Sequence, residues 1–139
     1  MESALLKKIN KYNLNQPFIV AVCSTDVFPL NKQTLMSVLY GTPIIKVDFQ
    51  SGESEHGIRT DGLIAPNAIG AIFNKRLSGV LYIETERNAD DNDLDMELSL
   101  LHNPWSKHPI DGTAFGDLPQ FIGADNGETL RMNWRAPNR

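Results

Sequence analysis

The stretch Pro17-Phe18-Ile19-Val20-Ala21-Val22-Cys23 is an unbroken apolar run, and a helix leads into it. Upstream, Leu5, Leu6, Ile9 and Tyr12 recur at steps of three and four, which draws one apolar stripe along a helix over residues 3–13. Lys7, Lys8 and Lys11 occupy its other face, and Asn15-Gln16-Pro17 stops it. A continuous β-branched run, rather than an alternating one, is the pattern of a strand buried on both faces. Helix followed by buried strand is the second half of an α/β crossover unit, which requires a parallel partner strand. Only two residues precede the helix. The partner is therefore expected later in the sequence, in a second copy, or among strands this chain lacks. Phe18 to Val22 should be the most buried segment, flanked by strands at 44–49 and 77–84.

The rest of the chain fits an α/β or α+β fold. The expected architecture is a mixed sheet of about four to six strands with two main helices, a size usual for sheets. Asn31 can cap a second helix whose buried face is Leu35, Met36, Val38 and Leu39, with Leu30 and Leu35 as a staple and Gly41 as the stop. Ile44 to Phe49 reads as a strand, and the glycine-spaced polar residues 50–62 as a loop. Leu77–Thr85 and Met96–His102 make a plausible antiparallel pair around an acidic tip at 86–95, with Met96, Leu98 and Leu100 on one face. From Asn103 onward Pro and Gly recur in a long irregular tail, with Leu130–Trp134 as a final edge strand.

Residues 1–139 form one domain in this reading, a core at 3–102 with the 103–139 tail packed on it. Its 15.5 kDa predicts about 7,200 Å² of exposed surface. The net charge of −4 gives no whole-domain footprint for nucleic acid. Residues 1–70 balance six basic against six acidic side chains, and the acidic excess collects between Glu84 and Glu97. One cysteine, Cys23, excludes an internal disulfide and a multi-cysteine zinc site. With neither a signal-like N-terminus nor an 18-residue apolar window, the expectation is a soluble, cytoplasmic protein away from membranes.

Three constellations could carry chemistry. Asp48, Glu53, Glu55, His56 and Asp61 offer oxygen and nitrogen ligands for a divalent ion, which could activate a water. Their spacing matches no known ligand pattern, and a solvated, surface-lying glycine-rich loop is the preferred explanation. Asp91, Asp93 and Asp95 resemble the opening of a calcium loop, but its sixth and twelfth positions hold Met96 and His102, so a charged hairpin tip is expected instead. Cys23, Ser24, Thr25 and Asp26 follow the apolar strand, where α/β sheets place ligands. With them, His102 and Asn103 complete a candidate ligand crevice. For His102-Asn103-Pro104-Trp105 the competing explanation is a structural corner. No phosphate loop, nucleophile elbow or His-Glu-x-x-His pair occurs.

The order of features resembles the carboxyl-terminal part of uncharacterised microbial proteins related to the PD-(D/E)XK nuclease superfamily. The resemblance is carried by the basic helix leading into Pro17–Val22, by Asp61-Gly62-Leu63 before Leu77–Leu81, and by His102-Asn103-Pro104-Trp105 with Pro109-Ile110. It covers about residues 3–110 through short motifs. It implies catalytic strands ahead of the first helix, where this chain has only Met1 and Glu2. Neither Glu84-Thr85-Glu86 nor Asp95-Met96-Glu97 supplies a lysine two residues after an acid. The resemblance therefore implies a part of a nuclease-like protein without nuclease activity of its own.

The leading expectation is a non-catalytic α/β domain acting by association, as a homodimer, with nucleic acid not a partner of this chain alone. Leu5, Leu6 and Ile9, or the 130–134 edge, are the expected dimer surfaces. No cofactor is called for. The alternative is a divalent-metal-dependent hydrolase or nuclease using the Asp48–Asp61 loop, and a third reading is a small-molecule binder beside Cys23 and Asp26.

Overall fold

Helix α1 (Glu2–Lys11) turns Leu5 and Ile9, one helical repeat apart, into the core. Lys8 and Lys11 sit in its last turn, where they offset the negative end of the helix dipole. In this computed structural model, residues 1–58, 61–66, 69, 71–87, 90, 93–125 and 130–137 are described. The remaining elements are β1 (Ile19–Ser24), α2 (Lys32–Tyr40), β2 (Pro43–Val47), β3 (Ser54–Ile58), β4 (Gly79–Arg87), β5 (Leu94–His102), a 3-10 turn at Gly112–Phe115, β6 (Gln120–Asp125) and β7 (Leu130–Arg135). The fold is α/β. Five strands form a mixed sheet in the order β1-β4-β5-β6-β7, while β2 and β3 pair as a separate hairpin.

The parallel partner of β1 follows it in the sequence: Ile19 lies opposite Gly79 and Ser24 opposite Glu84. Strands absent upstream are not needed to explain β1. The expectation for its burial fails, however. β1 is an edge strand with β4 as its one neighbour; Val20 and Val22 are half-buried, and Ala21 and Cys23 are exposed. The unbroken run is apolar on both faces, but helices cover only one. The deepest segments are instead residues 77–80 and 99–103, at the paired ends of β4 and β5.

β2 does not flank β1. It pairs with β3, inside the stretch expected to be loop. The hairpin is closed by a turn in which Asp48 N–H donates to the Glu53 carbonyl at 2.9 Å and Gly52, at φ +74°, donates to the Asp48 carbonyl. The positive φ is one that glycine tolerates. The acidic tip is also shorter than expected, because Glu86 and Arg87 continue β4 and Leu94 and Asp95 begin β5. Asp91 lies outside the described residues. In the C-terminal stretch β7 falls where an edge strand was expected, and β6 was not anticipated.

Helix α2 is built as its sequence directs. Asn31 Oδ1 accepts from Gln33 N–H at 2.7 Å, and Leu35 and Leu39 are fully buried. Its last carbonyls, which no further turn can satisfy, are met by the returning chain: Leu63 N–H donates to Val38 and Ile64 N–H to Leu39. Gly62 makes this approach feasible, since a Cβ there would stand 2.5 Å from the Leu39 carbonyl oxygen. Asp61 completes the join by accepting from the Thr42 amide at 3.0 Å and its hydroxyl at 3.3 Å.

Paired residues share a face of the sheet, so the register separates two layers. One row runs Val20, Val80, Leu101, Phe121, Trp134. This face carries the core, with Leu5 and Ile9 of α1 and Leu35, Leu39 and Tyr40 of α2 packed on Val80, Tyr82 and Leu101. The opposite face carries Ala21, Leu81, Leu100 and Gln120 in one row and Cys23, Ile83 and Leu98 in the next. Both helices serve the first face. Among the described residues, the segment after β5 covers the second: Ile110 reaches Gly79 so closely that a Cβ there would meet its Cδ1 at 2.8 Å.

Candidate functional site

Two carboxylates of the candidate metal loop, Asp48 and Asp61, are engaged in local structure. Asp48 uses its carboxylate to hold the hairpin turn, with Oδ1 accepting from Gln50 N–H at 2.8 Å and Ser51 N–H at 3.4 Å. These two bonds hold its carboxyl below the usual carboxylate range. Glu53 and Glu55 are exposed beside it, and Val47, Asp48, Glu53, Ser54 and Glu55 line a shallow open cleft. His56 pairs with Ile45 through the backbone ladder; its side chain lies outside the described ones. Asp61 is committed to Thr42. Among the described residues no group of three His, Cys, Asp or Glu side chains could hold a metal ion.

The proposed crevice is split between the two ends of the sheet. Ser24 lies opposite Glu84, whereas His102 lies opposite Gly79, five residues back along β4. At about 3.3 Å per residue that is roughly 17 Å. β5 runs antiparallel to β4, so its carboxyl end meets the amino end of β1. Ser24 serves the local structure. Its hydroxyl accepts from Leu30 N–H at 2.7 Å, and its carbonyl accepts from the Thr85 hydroxyl at 2.9 Å. Thr25 and Phe28 close the intervening turn on each other. Cys23 and Asp26 are exposed.

His102 and Asn103 form a densely satisfied corner. Asn103 is 1% exposed; its Nδ2 donates to the Leu77 carbonyl at 2.7 Å and its Oδ1 accepts from Trp105 N–H at 3.0 Å. The Ser78 hydroxyl accepts from Phe18 N–H and donates to the His108 carbonyl, tying β1, β4 and the tail at one point. His102 Nε2 meets Gln120 Oε1 at 2.7 Å, and the Tyr40 hydroxyl donates to the His102 carbonyl at the same distance. Burial pushes the Tyr40 phenol far up and lowers the His102 imidazole, so both are neutral at pH 7. A cavity of about 380 Å³ opens beside His102, Trp105, Ile110 and Ile122, and no Ser, Thr, Cys, Lys or carboxylate is among the described residues that line it. Gln120, which orients the imidazole, was missed in the sequence because its strand sits in a Pro- and Gly-rich stretch.

Among the described residues, the second face of the sheet is covered in part only. Leu100, nearest the tail, is fully buried; Leu81, Ile83 and Leu98 are half-buried; Ala21 and Cys23 are exposed, and Met96 is 60% exposed. Cover thus runs out toward the β1 edge and the far ends of β4 and β5, leaving adjoining uncharged side chains open. The sequence signal was the alternation Leu94, Met96, Leu98, Leu100, which reads equally as a strand facing the core. The surface expected on α1 is already in use, since Leu5 and Ile9 are 3% and 1% exposed. No helix among the described residues is long and apolar enough to cross a membrane. No protein-family profile, curated protein or solved structure matches the chain.

Proposed function

We propose that this chain is a non-catalytic α/β domain that works by association, pairing with a second copy of itself through the open face of its sheet. The observation that carries the reading is the partly uncovered patch of Ala21, Cys23, Ile83, Leu98 and Met96 on one face of the sheet, next to a β1 edge without a charged residue. Edge strands that stay single usually carry Lys, Pro or a bulge. The opposite edge, β7, carries Arg131 and Arg135. A second copy is the economical partner, because a twofold axis lets one patch cover itself. The likeness to nuclease-like proteins enters only as the helix-then-strand arrangement, with no hydrolytic step assigned to these residues.

Sedimentation equilibrium at micromolar protein tests the proposal. The expected mass is two chains, and Met96→Lys with Leu98→Lys should shift it to one. Trp134→Lys, on the helix-bearing face, should leave the dimer intact. A mass of one chain at every concentration overturns the reading.

A further inference from the structure

The charges of this acidic protein are segregated along β4 and β5. Glu84, Glu86, Asp95 and Glu97 stand at one end, while Lys75, Arg76 and Lys107 gather at the other. The basic end is concave. A cavity of about 410 Å³ is lined by Asn10 of α1, by Phe73 to Arg76 and by Lys107. Its two chain segments are clipped together, since Lys107 N–H donates to the Lys75 carbonyl at 2.9 Å and the Ser106 hydroxyl to the same oxygen at 3.1 Å. Asn74 holds the turn in the left-handed region at φ 58°, a conformation asparagine adopts more readily than most residues, and donates Nδ2 to the Leu63 carbonyl at 2.6 Å.

We infer that this cavity binds a small phosphorylated ligand carrying a flat ring, a mononucleotide in chemical class. None of Lys75, Arg76 and Lys107 is ion-paired with a described acidic residue, and no acid is among the described residues that line the cavity. Three cationic residues lining one hollow suit a phosphate, for which Arg supplies a fork and Lys point charges. Phe73 is 61% exposed at the same wall, and its ring has no aromatic partner among the described residues. An exposed phenyl beside cations is the element that holds a base by stacking. The volume lies in the range of small-molecule sites. The site shares no residue with the open sheet face, so either inference can fail alone.

The test is a titration of the full chain with AMP, followed by amide chemical shifts, with inorganic phosphate and adenosine as separate arms. AMP should saturate, with shifts at residues 72–76 and 107, and bind about tenfold or more tighter than either half. Phe73→Ala should weaken AMP about tenfold and leave phosphate unchanged. Lys75→Gln with Lys107→Gln should weaken both, and melting curves show whether the variants are folded. The wild-type shift map decides the matter should either variant be unfolded. Binding of AMP no tighter than phosphate, shifts elsewhere, or binding of a single-stranded oligonucleotide without AMP overturns the inference.

Discussion

The hydrogen bond between His102 and Gln120 has a fixed direction. Gln120 Nε2 is committed to two backbone carbonyls, Gly112 and Phe115, both at 2.9 Å. A carbonyl only accepts, so Gln120 Oε1 faces the imidazole and His102 Nε2 carries the proton. Burial lowers the imidazole below its ordinary 6.5, outweighing the Gln120 bond that raises it, and Arg135 lowers it further. In the unfolded chain His102 protonates near 6.5. Between that value and the lower folded one the unfolded state holds more protons, so stability falls as pH falls. Melting midpoints should hold above about pH 7 and decline below about pH 6.5. His102→Asn should be less stable throughout but flatter over that window.

Asn103→Ala should cost about 2 kcal/mol in urea denaturation, because it strands the buried Leu77 carbonyl and the Trp105 amide together. A loss near zero would mean that water satisfies both groups.

At the acidic end, Glu84 lies opposite Glu97 and Glu86 opposite Asp95. Like charges directly across a sheet repel. Glu97→Lys should therefore raise stability, by about 0.5 kcal/mol at low salt, and added salt should erase the gain. Thermal melts of both proteins at two ionic strengths check this.

Asp48 Oδ1 accepts from the Gln50 and Ser51 amides, which already gives the carboxylate a structural role. Millimolar Mg²⁺, Mn²⁺ or Zn²⁺ should leave the melting midpoint unchanged. A saturable rise that Glu53→Gln with Glu55→Gln removes would restore the metal-dependent alternative, since a ligand held only by the folded state must stabilise it.

Local signals were legible where a few neighbouring residues decide the outcome. Asn31 as cap, Gly41 as stop and the Leu35–Leu39 stripe placed α2 closely, and the β4–β5 pair lay where alternation put it. What failed depended on partners far away in the chain. An apolar run such as Ile19–Cys23 looks the same at a sheet's centre and at its edge, because position is set by how many strands pair with it. β3, with Glu55, His56 and Gly57, has little strand propensity, and its form comes from pairing with β2. The crevice at Cys23 and His102 required knowing the relative direction of β1 and β5, which only the topology supplies.

The sixty-residue gap between Ile19 and Gly79 also bears on how the chain is made. An uncharged strand emerges early in synthesis and has no backbone partner until β4 follows, while α2 and the β2–β3 hairpin form between them from nearer contacts. Closing so long a loop is slow compared with forming a helix or hairpin. Until β4 arrives, β1 is a sticky segment on the growing polypeptide, so the yield of folded protein should depend on synthesis conditions more steeply than its final stability would suggest.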